Sequence, residues 1–523
     1  MILSVMLRDD GGSVPSCFRD RFAGCSQSGR SMNSEAHAHS YNFTAVSSEF
    51  IGQLRKITAP DRVLDAEDEL VVYECDGYVI EKNAPEVVVF PESAGEVQRI
   101  VRLCNEQRVP FLARGAGTSL AGGSLPVTGG VMITLTRMNR ILQISTRDRF
   151  AVVEPGCVNL KLTRALAGTG FHYAPDPSSQ SACTIGGNVA TNSGGPHTLK
   201  YGVTVNHVIG VEFVSPAGEL ITLGGPCGRG SMPDLTGLFV GNEGTFGVVT
   251  RIWVRLTRDP AATRTMLGVF NTVADATQAI SSIIGAGIVP AALEMMDQGI
   301  IGALEEAFQF GFPLDAGAVL LIEVDGLDCA LDAEAATIID LCTAAGATEV
   351  RQSRTEEDRA LLWKCRKQAF GAIGRLAPSC CTQDGVVPRT RLPEILEFIQ
   401  EMERKHDLRI VNVFHAGDGN IHPILLFDER DQDQIRRVLL ASDEILNRCI
   451  DLGGSVTGEH GIGVEKISFM SRLFSAEDLA VMHDIRRVFN PEGLCSPGKL
   501  LPVAGGCSSE HPVQIDPARR PAF

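Results

Sequence analysis

The sequence predicts an α+β fold, in which two mixed units are followed by a split βαβ unit and a C-terminal segment. Three observations predict this fold: short apolar strands alternate with helical periodicity, Gly-rich loops follow several of the strands, and a βαββαβ order appears in the second half. A chain of 523 residues is long enough for roughly two to four domains. We expect domains at residues 60–258, 263–413 and 414–502.

The composition is that of an ordinary globular protein, with 44% hydrophobic and 21% charged residues. The net charge of −16 argues against nucleic acid or an anionic membrane surface as a partner, and an anionic substrate would need a locally positive pocket. No apolar run approaches the roughly eighteen residues that a transmembrane helix needs. The 15 cysteines include no CxxC pair, which indicates reduced thiols, a cytoplasmic location and no iron–sulfur cluster of the ferredoxin spacing in this chain.

Both ends of the chain lack periodicity. Residues 1–45 are rich in Ser, Gly and Arg, and we expect a disordered extension there, with Met32 as an alternative start. A secretory signal is not predicted, because the apolar stretch Met1–Leu7 is short and no basic region precedes it. Residues 503–523 are expected to form a tail.

The first mixed unit begins at about residue 60. Val87–Phe90 predicts a strand, and Ser93 with Glu96 predicts a capping box at the start of the next helix. Pro110–Ala113 predicts a second strand, and Val131–Thr136 alternates as a half-buried strand should. The order is therefore βαββ, which is typical of a mixed α/β unit.

The second strand leads into the loop Arg114–Gly123, with sequence RGAGTSLAGG. Its glycines permit positive φ and a close approach to a ligand, and its backbone N–H groups and hydroxyls suit a pyrophosphate. The spacing is neither GxGxxG nor that of a P-loop, so neither a Rossmann nor a P-loop site is predicted. The alternative is that the loop is only a turn.

The second unit spans about residues 151–256. Asn159 is predicted to cap a short helix. Pro175–Gly202 is a long, polar, Gly-rich loop with little charge, and such loops inside a globular domain usually bind a ligand. Val208–Leu223 predicts a β-hairpin, and Leu238–Leu256 places a third glycine turn before an alternating strand.

The third unit, residues 263–413, supplies the βαββαβ order. It is followed by a helix predicted at Thr355–Arg375, and the C-terminal segment contains helices predicted at Gln432–Asp451 and Ser475–Asn490. A ferredoxin-like arrangement of the four strands is expected from this order.

His415–His422, with sequence HAGDGNIH, and Gly458–Gly463, with GEHGIG, carry side chains suited to catalysis or metal binding. Glycines on both sides of Asp418 predict a turn, which can bring the two terminal histidines together. With Glu459 they make a set suited to Zn²⁺ or Fe²⁺ with an open coordination position, and His460 is then a free imidazole. The alternatives are that the histidines cap turns near a surface, or that His460 is the ligand and Glu459 is structural.

The motifs RGAGTSLAGG, TIGGNVATNSGG and GNEGTFGVVT occur in this order and are followed by HAGDGNIHP, SVTGEHGIGVEK and NPEGLCSPGK. In this combination the chain resembles the FAD-linked oxidases of the vanillyl-alcohol oxidase type, and within them the group of glycolate oxidases, D-lactate dehydrogenases and D-2-hydroxyglutarate dehydrogenases. The resemblance spans about residues 60–502. It implies a two-part FAD-binding domain of the vanillyl-alcohol oxidase (PCMH) type, a ferredoxin-like cap domain and a C-terminal helical segment.

The resemblance also implies the cofactors. FAD is expected without a covalent link, because Thr118 stands where covalent members often carry a histidine; His197 is an alternative anchor, weighed against an ordinary polar loop residue. A divalent metal, with zinc preferred, is expected on His415, His422 and Glu459. The residues expected to bind FAD are Arg114, Gly115, Gly117, Thr118, Ser119, Gly122, Pro175, Asp176, Ser179, Thr184, Gly186, Gly187, Asn188, Asn192, Gly194, Gly195, Gly241, Glu243, Gly244 and Asn420.

For the reaction, the resemblance implies oxidation of a small (R)-2-hydroxy acid, glycolate to glyoxylate or D-lactate to pyruvate. Arg366, and less directly Arg389, would bind the substrate carboxylate, and His460 would take the hydroxyl proton. Ile424 stands where D-2-hydroxyglutarate enzymes carry an asparagine, which favours a smaller substrate. The alternatives are a D-2-hydroxyglutarate dehydrogenase and a non-catalytic, FAD-holding assembly subunit.

Electrons must leave the reduced flavin, and this chain has no cluster motif of its own. A partner carrying iron–sulfur centres, a quinone or a soluble acceptor is therefore implied, and the resemblance favours partner subunits, one of the FAD type and one carrying iron–sulfur centres. Peripheral association with a membrane through such partners is therefore expected.

Overall fold

The computed structural model of the chain describes residues 43–226 and 233–502. The predicted extension, apart from residues 43–45, lies outside the described residues, as do Met32 and the predicted tail at 503–523. The helices before residue 258 are α1 (Ser48–Ile57), α2 (Glu67–Leu70), α3 (Ala94–Gln107), α4 (Asn159–Leu166), α5 (Ile185–Thr191), α6 (Thr198–Tyr201), α7 (Thr204–His207) and α8 (Leu235–Phe239).

The first mixed unit forms a four-stranded sheet. Its strands are β1 (Val63–Leu64), β2 (Val87–Val89), β3 (Phe111–Arg114) and β4 (Val131–Thr134). The order is β1-β2-β4-β3, and β2, β4 and β3 run parallel, as a βαββ unit requires. Ser93 caps α3 and accepts the N–H of Glu96, but the Glu96 carboxylate accepts the N–H of Glu92, so only half of the predicted capping box forms.

Strand β4 corrects one expectation. The sequence predicted a half-buried strand, whereas all four residues of β4 are buried. The reason is that β4 lies between two parallel neighbours and is covered on both faces. Val131 and Ile133 pack into the apolar cluster that contains α3, and Met132 packs on the other side with Val88 and Leu112.

The second unit forms an antiparallel sheet in the order β5-β6-β10-β8-β9, which confirms the predicted hairpin between residues 208 and 223. Its strands are β5 (Ile141–Ser145), β6 (Phe150–Val153), β8 (Val208–Val214), β9 (Leu220–Gly224) and β10 (Val248–Arg255), and β7 (Phe171–His172) pairs separately with β11 (Thr257–Arg258). Asn159 is not the cap of α4: Val158 precedes the helix, and the Asn159 amide instead donates to the Pro175 carbonyl at 2.9 Å.

The third unit has the predicted ferredoxin-like topology. Its strands and helices are β12 (Ala262–Phe270), α9 (Val273–Gly285), β13 (Ala292–Asp297), α10 (Gln298–Phe308), β14 (Ala318–Gly326), α11 (Asp328–Ala344), β15 (Ala347–Gln352) and α12 (Glu356–Ile373). The antiparallel order β15-β12-β14-β13 is that of a split βαβ sheet. Helix α10 was not predicted; its Ile300, Ile301 and Leu304 fill an apolar cluster with Trp363 of α12.

The cap sheet continues into the C-terminal part of the chain. The remaining elements are β16 (Ser379–Thr382), β17 (Gly385–Val386), α13 (Leu392–His406), β18 (Arg409–His415), β19 (Asn420–Ile421), β20 (Pro423–Phe427), α14 (Gln432–Asp451), α15 (Met470–Leu473) and α16 (Ala476–Phe489). Strand β18 pairs with β13, so the domain limit predicted between residues 413 and 414 falls inside a strand of the cap sheet.

Two chain-wide expectations concern cysteines and membranes. Eleven cysteines within residues 43–226 and 233–502 are free thiols, and most of these are buried. Within the same ranges, every helix is too short or too polar to span a bilayer.

Candidate active site

A cavity of about 380 Å³ lies where the glycine loops of the first two units meet the cap and the C-terminal segment. Twelve of the twenty residues expected to bind FAD line it: Arg114, Gly115, Gly117, Thr118, Ser119, Ser179, Thr184, Gly186, Gly187, Asn188, Glu243 and Gly244. Phe239, Lys367, Phe370, His422, Glu459 and His460 also line this cavity. The predicted cofactor loops and the predicted catalytic motif therefore share one space.

Close backbone approach explains the glycines of this wall. A Cβ at Gly115 would overlap the hydroxyl oxygen of Thr184, which itself accepts the N–H of Gly187 at the start of α5. A Cβ at Gly186 would meet Pro155 at 2.7 Å. The loops thus present a cradle of backbone rather than side chains, which is what an extended dinucleotide such as FAD requires. The backbone N–H groups and the hydroxyls of Thr118 and Ser119 on this wall are donors of the kind that bind the pyrophosphate of FAD.

The other eight residues predicted to bind FAD do not line the cavity: Gly122, Pro175, Asp176, Asn192, Gly194, Gly195, Gly241 and Asn420. Several of them hold the loops in place. Asn192 ends α5 in the left-handed conformation and accepts the N–H of Val205, and Asp176 pairs with His197 at 2.8 Å. For these residues contact with FAD stays a prediction.

The C-terminal segment is hydrogen-bonded to three glycine loops, residues 114–123, 175–202 and 241–247, which we call the flavin-side loops. The Glu243 carboxylate accepts the N–H groups of Ile462 and Gly463 at 2.7 and 2.6 Å. The Lys499 ammonium donates to the carbonyls of Gly122 and Gly123 at 2.7 and 2.9 Å, and burial lowers the pKa of Lys499 to about 7. The third glycine turn and the first glycine loop are therefore both tied to residues beyond 460.

His415 and His422 meet as the sequence predicted. His415 ends β18, His422 follows β19, and the tight turn between them carries Gly419 at φ +83°. Their Nε2 atoms lie 3.1 and 3.2 Å from the same oxygen, Oε1 of Glu459, and their rings are perpendicular with centroids 5.1 Å apart. All three donor atoms lie within 4.8 Å of one another.

This geometry fits a divalent metal ion. The Nδ1 atoms of His415 and His422 face acceptors, Glu294 Oε1 at 2.7 Å and the Gln383 carbonyl at 3.2 Å, so each Nδ1 carries the proton and each Nε2 is free to ligate. Burial by itself lowers the pKa of His415, but Glu294 and Glu459 outweigh it and raise that pKa well above its usual value. Without a metal the two carboxylates thus favour a proton on Nε2 of His415 as well, and a divalent cation bound there would take the place of that proton.

His460 lies beside this cluster. Its ring stacks on His422 with centroids 4.9 Å apart, and its Nδ1 is buried 4.0 Å from Oδ2 of Asp384. Burial lowers the pKa of His460 to about 4, so the imidazole is neutral at pH 7. Asp384, His422 and His460 form a second possible ligand group, which keeps the alternative role of His460 open.

Asp384 has a different task, which the sequence did not reveal. Its Oδ2 accepts the N–H groups of Gly458, Glu459 and His460 at 3.0, 3.1 and 2.7 Å and the hydroxyl of Thr457 at 2.6 Å. All four donors fall on this one oxygen, and the other, Oδ1, is buried without a hydrogen-bond partner among the described residues. Asp384 therefore holds the GEHGIG loop through Oδ2, while Oε1 of Glu459 faces the Nε2 atoms of both His415 and His422.

The two predicted substrate arginines do not line the cavity. The Nε–H of Arg366 donates to Oε2 of Glu294 at 2.7 Å, and the buried Nη2 has no hydrogen-bond partner among the described residues. Arg389 donates to the Gly417 carbonyl at 3.2 Å. Lys367, next to Arg366 on α12, is the cation of that helix that reaches the cavity.

Three residues have positions or contacts that the sequence did not predict. The roles of Glu294 and Lys367 were not predicted, although Glu294 lies among apolar residues of the strand ALEMMD, which is a signal for a buried polar role. Ile424 was expected to limit substrate size, but it is buried in the apolar cluster of Trp363 and Val411 and does not line the cavity. The position of Ile424 therefore gives no support for a small substrate.

Two family models match the chain. One is described as a FAD binding domain and matches residues 85–224, and the other is the C-terminal domain of FAD linked oxidases and matches residues 259–500. Glycolate oxidase subunit GlcD of Escherichia coli strain K12 is 42% identical over 85% of this chain and 89% of its own length. The subunit of the same name from Bacillus subtilis strain 168 is 38% identical over 86% and 96%.

More distant comparisons agree. D-lactate dehydrogenase of Anaerostipes hadrus is 29% identical over 88% of this chain and 98% of its own. Among solved structures, p-cresol methylhydroxylase superposes with a TM-score of 0.74 at 18% identity over 86% of this chain and 96% of the other, and 4-ethylphenol oxidase from Gulosibacter chungangensis with 0.72 at 20% over 87% and 98%. These two structures support the predicted fold class of a PCMH-type domain with a cap. From its loops, its cavity and these matches, the chain belongs to the FAD-linked oxidases, in the group that contains the glycolate oxidase subunits named GlcD.

Proposed function

We propose that this protein oxidises a small (R)-2-hydroxy acid, glycolate to glyoxylate in the first place and D-lactate as well, with non-covalently bound FAD. One observation carries the proposal: His422, Glu459 and His460 line the same cavity as the glycine loops. A hydroxyl group held by the cluster would therefore stand beside the flavin. The names of the relatives, glycolate oxidase subunit and D-lactate dehydrogenase, support this substrate class.

The proposal includes a divalent metal on His415, His422 and Glu459, with zinc preferred. Two neutral imidazoles and a carboxylate are a donor set that zinc accepts with one position left open. When bound, FAD would supply the hydride acceptor, and the metal would supply a Lewis acid that lowers the pKa of the substrate hydroxyl. The support for the metal is the convergence of the three donor atoms, not the family match.

The remaining work belongs to side chains of this chain. His460 would take the hydroxyl proton at Nε2, because its Nδ1 is buried against Asp384. The same buried surroundings keep the imidazole neutral. Arg366 and Arg389 stay predictions as substrate residues, and Lys367 offers a further positive charge for the carboxylate at the cavity wall.

Replacing His460 by Ala tests the proposal against the reading of a non-catalytic assembly subunit. We expect the variant to keep FAD, as measured by its flavin absorbance, and to lose at least about a hundredfold in glycolate-dependent dye reduction, since a general base contributes roughly 10²–10⁴-fold. Wild-type protein that binds FAD but does not reduce dye with any 2-hydroxy acid would favour the assembly subunit.

The main alternative within the same class is a D-2-hydroxyglutarate dehydrogenase. The identities of 42% and 38% to glycolate oxidase subunits favour the smaller substrate. Steady-state comparison of glycolate, D-lactate and D-2-hydroxyglutarate, with metal content measured on the same sample, decides between them. A kcat/KM for D-2-hydroxyglutarate above that for glycolate would reverse the assignment.

We also propose that the reduced flavin passes its electrons to partner subunits, one of the FAD type and one with iron–sulfur centres, or to a quinone. The word subunit in the names of the relatives supports this assembly. Location in the cytoplasm, with peripheral membrane association through such partners, belongs to the same proposal. Co-purification of a tagged chain from its own cells, followed by iron analysis of the complex, tests it: an iron-free single chain with full quinone reductase activity would contradict it.

A further inference from the structure

We propose that Glu294 is a positioning residue, which fixes the imidazole of His415 for metal binding and holds Arg366 at the same time. The inference rests on the proposed metal site and deepens it. Glu294 is fully buried, His415 and Arg366 are 4% and 2% exposed, and the carboxylate oxygens divide between the two partners. Oε1 lies 2.7 Å from His415 Nδ1, and Oε2 lies 2.7 Å from Arg366 Nε.

The sheet itself brings Glu294 and His415 together. Strand β13 pairs with β18 in a register that places Glu294 directly opposite His415. Directly opposite residues of an antiparallel pair project to the same face with their Cβ atoms about 4.5–5.5 Å apart. The contact is therefore set by backbone pairing rather than by flexible side-chain reach.

The carboxylate determines the tautomer of His415. An ionised carboxylate can only accept hydrogen bonds, so Nδ1 of His415 carries a proton, and in the metal-binding form Nε2 offers its lone pair. Nε2 lies 3.1 Å from Oε1 of Glu459, at the place where the three donor atoms converge. Partners of this kind orient ligating histidines, and their loss typically lowers metal affinity by about 10–100-fold.

The second oxygen connects the cluster to helix α12. Arg359, Trp363 and Arg366 are spaced by four and three residues and so share one face of the helix. Arg359 and Trp363 donate to Glu323 of β14 at 2.6–2.9 Å, and Arg366 donates to Glu294 of β13. Two buried glutamates of the same sheet thus hold one helix, but only Glu294 also touches a residue of the metal cluster.

Glu294→Gln is the informative change because the two shapes are nearly equal. Arg366 Nε–H still requires an acceptor, so the amide oxygen would face Arg366 and the NH₂ group would face His415. Nδ1 of His415 must then accept, its proton moves to Nε2, and the lone pair is lost from the cluster. We expect the affinity of FAD-loaded protein for Zn²⁺ to fall at least about tenfold.

The experiment titrates Zn²⁺ into chelator-treated holoprotein with a competing indicator, and FAD content is recorded for every sample. The matched control is Glu323→Gln, which removes the other buried carboxylate under α12 and should leave Zn²⁺ affinity within about threefold of wild type. Arg366→Met keeps the contact between Glu294 and His415, so it should lower Zn²⁺ affinity less than Glu294→Gln. Glu294→Asp keeps the charge and should recover part of the affinity.

Zn²⁺ affinity of Glu294→Gln equal to that of wild type overturns the inference, and so does an equal loss in the Glu323→Gln control. If the Gln variant does not fold, the Asp variant decides: affinity below that of wild type with FAD retained supports the role, and unchanged affinity overturns it. A wild-type protein that binds Zn²⁺ tightly but does not oxidise glycolate would contradict the proposed function without contradicting this inference. Wild-type protein without affinity for Zn²⁺ would refute the inference itself.

Discussion

Glu459→Gln is the sharpest test of the proposed metal site, because the two oxygens of this side chain contact different groups. Oε1 faces Nε2 of both His415 and His422 at 3.1 and 3.2 Å, and Oε2 accepts the N–H of Gly194 at 3.1 Å. In the variant, the Gly194 N–H will take the amide oxygen, and the NH₂ group must then face the two imidazoles. The change removes one ligand atom and the charge, and it preserves shape and the link to the flavin-side loop.

The expected loss is large. Partners outside the ligand set are worth about 10–100-fold in metal affinity, so loss of the one charged ligand should cost at least about a hundredfold, or about 2.7 kcal/mol. If the metal supplies several kcal/mol to the reaction, kcat for glycolate should fall at least about a thousandfold, since 1.36 kcal/mol corresponds to tenfold. FAD content should stay near that of wild type, because the contact with Gly194 survives.

Metal analysis after dialysis against a chelator-buffered solution, flavin absorbance and glycolate-dependent dye reduction measure the three quantities on one sample. Glu465→Gln is the matched control: this buried glutamate of the same segment accepts a hydrogen bond from Gln383 and is not part of the ligand group. Full metal content and a kcat within about threefold of wild type in Glu459→Gln would refute the metal cluster as a part of the site.

Three further changes test other parts of the structure. Lys367→Met should raise KM for glycolate about tenfold with a smaller change in kcat, because a cation at the cavity wall is lost. Lys364→Met, on the same helix but away from the cavity, should change neither constant. Equal effects of the two variants in steady-state kinetics would contradict this prediction. Gly115→Ala should lower FAD content, since its Cβ would overlap a threonine hydroxyl, whereas Gly52→Ala, with no atom within 4 Å of the new Cβ, should leave FAD bound. Histidine and arginine partners outweigh burial and lower the pKa of Glu323 to about 2. Its contribution of about 3 kcal/mol to the free energy of unfolding is therefore present above pH 4.5 and is lost as the pH falls toward 2. The difference in Tm between wild type and Glu323→Gln should shrink from pH 6 to pH 4, and a constant difference would contradict this prediction.

Periodicity and turn chemistry were enough to predict most of the elements. The helix predicted at Gln432–Asp451 has those limits in the structure, and the βαββαβ order produced the expected sheet β15-β12-β14-β13. These features depend on local spacing, which a single sequence contains. Strand β4 was wrongly predicted as half-buried, because burial on its second face comes from neighbours that lie far away in the sequence.

The site was predictable in its motif residues and not in its supporting residues. His415, His422 and Glu459 lie in the Gly-rich motifs HAGDGNIH and GEHGIG, which can be recognised in the sequence. Glu294 lies in a strand some 120 residues earlier and contacts His415 only because of the register of the sheet. Lys367 and Arg366 are neighbours, and which of them lines the cavity depends on the rotation of α12 against the sheet. This orientation depends on tertiary packing and cannot be predicted from the spacing of residues within the helix.

The path of the chain explains why two histidines with six residues between them can act as one site. A helix would place positions 415 and 422 about two turns, or roughly 10 Å, apart along its axis. Here β18 ends at His415, the chain reverses over the tight turn, and His422 returns beside it, held by Gln383. A Cβ at Gly419 would overlap the Val387 carbonyl, so the turn itself requires glycine. Because Glu459 joins this pair from a different segment and also accepts the N–H of Gly194, a single side chain connects the two histidines to a glycine loop of the FAD-binding half.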